Sequence, residues 1–414
     1  MKRTVSIALI ISLSAIFIAC KNSECIYCDK IHRGKLIDSI KLANTNYKYS
    51  AYIPERYKHK KLPTFIFFDP HGHPELAMKK YKSIADSLGV IFIGYTLSSN
   101  ETPANFSLSY FEIFIRDINR KLPVDTAKLF FVGFSGGSRV ATIVQEQFQP
   151  AKGLILTGAS AYNPEFYSKN MIPIVHIVGI KDFNFSEFFH LFTQYANSPS
   201  IAIIFFDGKH HWPPQNIVDL AIKMLIFDKT KMKKQPNYSL DSIPEFFLYP
   251  TLLSMKKFNF LTSEDQLIKS YEIFSKKTMP ILFDIFEKEW SEQQKIINFF
   301  NFADDKKLIK YIDSLRNISL NSNHIIDEMN YALAQRLLSF IGIISFSYSA
   351  NLFQQNNPAM QSILNIYEYI EPDNKDMLYF QVKWHLKNND SVKANFYLQK
   401  ADSLYPNFNV FIKN

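Results

Sequence analysis

Between residues 47 and 206 the chain alternates short, almost continuously apolar runs with longer stretches of helical periodicity. The apolar runs are Tyr47–Ile53, Thr64–Phe68, Val90–Tyr95, Lys128–Val132, Gly153–Leu156, Pro173–Val178 and Ile201–Phe206. Most are unbroken rather than alternating, as expected of strands covered on both faces. Met78–Leu88 and Ser109–Leu122 carry helical spacing between them. This alternation predicts an α/β class fold of three layers, a mostly parallel sheet sandwiched by helices. In such a sheet chemistry collects at the carboxyl ends of strands.

Past about residue 230 the pattern turns helical throughout, in Lys307–Leu315, Ile326–Leu352, Met360–Ile370, Lys375–Lys387 and Ser391–Leu404. The very apolar Leu337–Phe346 is too short to span a bilayer and predicts a buried helix. Pro372 and Pro406 stand 34 residues apart around the last two helical stretches, with Ala394 and Ala401 at small, close-packing positions. A helix–turn–helix unit of that length resembles a tetratricopeptide repeat, and implies stacking on the preceding helices and a possible docking face for a protein partner. The expected organisation is a leader over residues 1–19, a tether over 20–43, an α/β domain over 44–228 and an all-α domain over 229–414.

Glycine sharpens that division. Of 12 glycines, eleven lie at or before Gly208 and only Gly342 follows. Tight strand-to-helix turns need glycine, whereas helical repeats do not. Hydrophobic residues at 47% and charged ones at 21% are enough to build cores, which excludes global disorder. No run reaches the roughly 18 to 20 uncharged residues of a multi-spanning protein's helices. The formal charge of +9 comes mostly from lysine. Bidentate phosphate and base recognition favours arginine, so the excess predicts a solvated surface and no nucleic-acid partner.

At the amino end, Lys2 and Arg3 precede the uncharged apolar stretch Val5–Ile18, and Ala19-Cys20 follows. A basic start, a 14-residue apolar run and a small residue make a secretory signal. Phe17-Ile18-Ala19-Cys20 resembles the lipobox of bacterial lipoproteins. That resemblance implies a lipidated Cys20, a membrane anchor and a place in the cell envelope: the outer membrane of a Gram-negative bacterium, periplasmic or surface-exposed. Cys25 and Cys28 suit a local disulfide in an exported chain; with His32 they fall short of a zinc set.

The chemistry follows the strands. Val132 leads into Gly133-Phe134-Ser135-Gly136-Gly137 and then a helical run, which is G-x-S-x-G in a strand–turn–helix setting. A serine hydroxyl needs a base to take its proton and an acid to orient that base. Strand Pro173–Val178 runs into Gly179-Ile180-Lys181-Asp182, and strand Ile201–Phe206 into Asp207-Gly208-Lys209-His210-His211-Trp212-Pro213. The order Ser, acid, His resembles that of the α/β-hydrolase family. More narrowly, G-x-H-x-W-P at Gly208–Pro213 and the approach Leu122-Pro123-Val124-Asp125 resemble exported esterases related to polyhydroxyalkanoate depolymerases and feruloyl esterases. The likeness covers roughly residues 45 to 228.

The resemblance implies Ser135 as nucleophile, His210 as general base and then acid, and Asp182 as the orienting carboxylate. His211 stays open as the base and Asp207 as the acid. For the oxyanion it implies the Gly136 N–H and a donor from Asp69-Pro70-His71-Gly72-His73-Pro74, with the His73 N–H ahead of that of Gly72. His71 and His73 lack the carboxylate partners of a metal site, and the reading calls for no metal and no cofactor. His176 reads as a core histidine and His190 as surface or pocket wall. The short span from Leu156 to Pro173 leaves no room for a large inserted lid, which suits extended or bulky substrates.

Together these point to a membrane-anchored serine hydrolase that cleaves carboxylic esters through an acyl-enzyme. Two alternatives stand beside it: a non-catalytic binding or scaffold lipoprotein with a degenerate hydrolase half, and a serine peptidase of prolyl-oligopeptidase type.

Overall fold

The computed structural model describes residues 32–56, 60–100, 102–227, 239–258, 264–318, 324–405 and 408. The leader, Cys20, Cys25, Cys28 and Pro406 lie outside them. Eight strands, β1 (Leu36–Lys41), β2 (Lys48–Tyr52), β3 (Leu62–Phe68), β4 (Ile91–Tyr95), β5 (Val124–Phe134), β6 (Leu154–Thr157), β7 (Ile174–Gly179) and β8 (Ile201–Phe206), form one mixed sheet. Its order is β1-β2-β4-β3-β5-β6-β7-β8. β2 runs antiparallel to β1 and β4, whereas β4, β3, β5 and β6 pair in parallel. This is the mostly parallel α/β architecture expected, and the chain continues into an all-α region.

Two expectations are corrected at the amino side. β1 lies inside the stretch read as tether, so the sheet starts about eight residues before the expected boundary at 44. Its sequence, LIDSIK, has two consecutive polar residues and is only partly buried, which hides it from an apolar-run reading. β5 begins at Val124 rather than Lys128; Asp125, Thr126, Ala127 and Lys128, partly or fully exposed, separate the buried Val124 from the six buried residues at its end and hide its start from an apolar-run reading.

By internal packing the chain divides into two compact units, one of residues 1–175 with 218–238, the other of 176–217 with 239–414. In the first, β3 buries Phe65, Ile66, Phe67 and Phe68 completely. Helix α1 (Pro74–Leu88) buries Ala77, Met78, Tyr81, Ile84 and Ala85, one stripe at helical spacing. Helix α2 (Ala104–Lys121) does the same with Phe111, Phe114 and Ile118. Phe68, Tyr95, Phe111 and Phe131 meet ring to ring at centroid distances of 5.0–6.3 Å. Helix α3 (Gly136–Phe148) follows β5 directly, and the single turn α4 (Phe166–Lys169) is the one helix between β6 and β7.

In the second unit, α5 (Phe185–Tyr195) follows β7, and α6 (Gln215–Ile226), which follows β8, starts here and ends in the first unit. After them come α7 (Leu248–Lys257), α8 (Glu264–Ile273), α9 (Met279–Asn301), α10 (Asp305–Arg316), α11 (Ile325–Gln355), α12 (Met360–Ile370), α13 (Lys375–Lys387) and α14 (Ser391–Leu404). The domain boundary expected at 228 does not match this unit, since 176–217 packs with the helices. The reason is visible on β8, the last strand in the sheet order. Ser254 Oγ on α7 accepts from the Ile203 N–H at 2.9 Å and donates to its carbonyl at 3.1 Å, and Lys257 Nζ donates to the Ile201 carbonyl at 3.1 Å. The helical region thus occupies hydrogen-bonding groups that an edge strand would otherwise leave open.

α11 contains an 18-residue window of mean hydropathy 1.3, so by length and composition alone it could cross a membrane. The stretch Leu337–Phe346, expected as a buried helix, belongs to one whose buried stripe includes Leu333, Arg336, Leu337, Ile341 and Ser345, while Ile343 and Phe346 are exposed. α13 and α14 are capped by Asn374 and Asp390, whose side chains accept from N–H groups of their first turns. Ala394 and Ala401 are buried.

Candidate active site

Ser135 sits between the last residue of β5 and the first of α3, with φ 51° and ψ −124°. A non-glycine residue in that region costs about 1–3 kcal/mol and persists only where its surroundings enforce it. Here they do. The Ser135 N–H donates to the Thr157 carbonyl on β6 at 2.8 Å, and Ser138 N–H closes the turn on the Ser135 carbonyl at 2.9 Å. Ser138 Oγ donates to the Thr157 carbonyl at 3.0 Å and accepts its N–H at 3.1 Å. Glycine is a steric requirement: a Cβ on Gly137 would stand 2.2 Å from the Phe68 carbonyl oxygen, and one on Gly133 2.4 Å from Ser138 Cα. The turn therefore presents the half-exposed hydroxyl at the N-terminus of a 13-residue helix, where developing negative charge is favoured. The Gly136 N–H belongs to the first turn of that helix, whose N–H groups have no carbonyl within the helix.

The loop after β3 departs from expectation. Asp69, nearly fully buried, gathers its backbone donors: His71 N–H at 2.9 Å and His73 N–H at 3.3 Å on Oδ1, and Gly72 N–H on its carbonyl at 3.1 Å. Neither of the N–H groups assigned to the oxyanion, His73 and Gly72, is available in this arrangement. The carboxylate two to four residues upstream satisfies this loop as an Asx-type turn. The His73 ring is exposed and bonded to Glu75 at 3.0 Å. The sequence reading overlooked Asn100. Its amide lies against the Ser135 turn so closely that a Cβ on Gly136 would meet Oδ1 at 1.7 Å and Nδ2 at 3.3 Å. The absence of a side chain at 136 was the only signal for it.

In the second unit, Asp182 and His210 are brought together. The loops that carry them are laced to one another: Ile180 N–H donates to the Phe206 carbonyl and Lys181 N–H to that of Gly208, both at 2.9 Å. His210 Nδ1 lies 2.9 Å from each carboxylate oxygen of Asp182. An ionised carboxylate only accepts, so Nδ1–H donates, and in the neutral ring the lone pair is on Nε2. Asn184 N–H holds Asp182 Oδ1 at 2.9 Å, and the Phe183 ring packs on the imidazole at 4.3 Å. Asp182 is buried, whereas His210 remains partly accessible.

The two rivals go elsewhere. His211 is exposed, with Nδ1 at 3.0 Å from the Trp212 carbonyl. Asp207 pairs with Lys181 Nζ at 2.5 Å. A cavity of about 1010 Å³ in this unit adjoins the loop after β7, with Ile180, Lys181, Asp207, His324, Glu328 and Tyr331 in its wall. Burial first, and then the Asp207 charge, pushes the Glu328 carboxyl above its ordinary range. His176 is fully buried edge-on to Phe188, and His190 is exposed on α5.

No family model matches the chain, and no curated protein does. Solved structures do resemble it. Est1E from Butyrivibrio proteoclasticus aligns at 14% identity over 42% of this chain and 92% of its own, with TM-score 0.35. Esterase B from Lactobacillus rhamnosis aligns at 14% identity over 52% and 90%, with TM-score 0.37. An S-formylglutathione hydrolase from Agrobacterium tumefaciens aligns at 14% identity over 45% and 92%, with TM-score 0.35.

Proposed function

We propose that this chain is a serine hydrolase that cleaves carboxylic esters. Ser135 attacks the ester carbonyl, and His210 Nε2 takes the hydroxyl proton. The acyl group passes to Ser135 Oγ as the alkoxide leaves with the proton from His210. Water, deprotonated by the same imidazole, then releases the acid. Asp182 fixes the tautomer and stabilises the imidazolium. The observation that carries the reading is the strained, glycine-flanked Ser135 turn, in a chain whose following strands end in a buried Asp182 bonded to His210 Nδ1. Strain held at one half-exposed serine has no structural use that an ordinary turn would not serve. The Gly136 N–H is one oxyanion donor.

Fluorophosphonate labelling tests this reading. The folded wild type should label and Ser135→Ala should not; an unlabelled wild type sinks it. The anchor is a further part of the same proposal. The purified full-length protein from an expressing bacterium should partition into the detergent phase through lipidated Cys20, and Cys20→Ala should move it to the aqueous phase.

A further inference from the structure

A guanidinium is buried behind the acid loop. Arg336, on α11, is completely inaccessible, and so nearly is Glu289 on α9. Arg336 Nε lies 3.0 Å from both Glu289 oxygens and Nη2 2.7 Å from Oε2. The remaining arm, Nη1, donates to the Ile180 carbonyl at 2.8 Å, and the face of the cation stands 4.6 Å from the Phe185 ring centroid. Ile180 is two residues before Asp182 and Phe185 three after, and the Phe185 N–H donates to the Asp182 carbonyl at 2.9 Å. One planar side chain from the helical region therefore grips both shoulders of the turn that presents the carboxylate.

Stability alone explains this poorly. Withdrawing both charges from water costs several kcal/mol per ion, and well-packed apolar residues of similar volume commonly serve a core as well or better. A forked, rigid donor does what an apolar pair could not, because it orients a particular carbonyl. Catalytic geometry rewards such support, since reacting groups must be held by neighbours that are themselves locked.

We propose that Arg336, held by Glu289, is a positioning residue for Asp182, and through it for the His210 imidazole, so that the helical region is part of the catalytic apparatus. This rests on the reading of Asp182 and His210 as acid and base. The test uses the full chain and a paired replacement, Glu289→Leu with Arg336→Met, which keeps the site filled while deleting the donor to Ile180. Arg336→Lys, which keeps a cation for Glu289 but gives up the fork, is measured alongside. The first readout needs no catalysis: the His210 Nδ1 proton, deshielded by its bond to a carboxylate, gives a far-downfield proton resonance, assigned by its loss in His210→Gln. The paired variant should keep the wild-type circular dichroism and a cooperative thermal transition while this resonance broadens or disappears. The second readout is ester turnover, where kcat should fall roughly tenfold to a hundredfold with KM unchanged, and less in Arg336→Lys. A folded paired variant with intact resonance and unchanged kcat overturns the proposal. If the wild type turns over no ester, the hydrolase reading fails. The resonance then decides alone: its loss in the paired variant supports the clamp, and its retention overturns it.

Discussion

At the scale of single residues, the molecule spends stability at a few positions, and Ser135 and His176 show two different ways of doing so. Ser135 holds an unfavourable backbone that the Thr157 carbonyl and the absent side chains at 133 and 137 enforce. The motif announced it, because only glycine tolerates those approaches. His176, inside β7, is fully buried, and burial pushes its imidazole down to about 3 from an ordinary 6.5. The native ring is thus neutral where the unfolded ring takes up a proton. From pH 6.5 down to about 3 the unfolded chain binds the extra proton, so stability falls with falling pH, by about 1.4 kcal/mol per pH unit at full slope. His176→Leu removes that component. Urea midpoints measured from pH 7 to pH 4 should flatten in the variant relative to wild type; parallel curves would mean the ring is not desolvated.

At the scale of elements, what the sequence revealed depends on how each element meets its neighbours. β8, α12, α13 and α14 were legible to the residue, since Ile201–Phe206 is uniformly apolar and the last helices are bounded by Asn374, Asp390 and the turn at Pro372. β1 was invisible because a partly exposed antiparallel strand needs only scattered apolar contacts. Order along the chain and the resemblance put Asp182 ahead of Asp207 as the partner of His210, and His210 Nδ1 lies on Asp182; that Lys181 would reach back to pair with Asp207 left no trace in the spacing. Nor did spacing reveal that Asp69 would consume the His73 and Gly72 N–H groups. Side-chain hydrogen bonds across loops leave no periodic trace. Ser254 on α7 is another such case, and it sets a prediction for its element. It both accepts from and donates to Ile203 within β8, so Ser254→Ala leaves two buried backbone groups unsatisfied. The expected cost is about 1–3 kcal/mol in chemical denaturation. A Ser254→Cys variant, of similar size but a weaker hydrogen-bonding partner, should fall between.

At the scale of the whole molecule, the glycine asymmetry pointed to two unlike halves, and composition indeed changes near residue 230. Composition reports what each segment is made of, however, and not what it packs against. The strand ends bearing Asp182 and His210 belong to the same compact unit as the helices from 239 onward. Within that unit α7 satisfies β8 through Ser254 and Lys257, and α11 holds the Ile180 carbonyl through Arg336. A chain ended at 238 would therefore not be a self-sufficient α/β domain relieved of an accessory. It would expose the β8 groups that α7 satisfies, the apolar surface of Phe185 and Phe205 that meets Phe247, and an Ile180 carbonyl robbed of its donor. An open edge strand with buried aromatics laid bare is a template for aggregation. Expressed to residue 238, the chain should be recovered insoluble or in large aggregates by size-exclusion chromatography, and co-expression with residues 239–414 as a separate chain should restore soluble material. A monomeric 1–238 chain that unfolds cooperatively, and labels with fluorophosphonate at the rate of the full chain, would instead make the helical half dispensable to the active site.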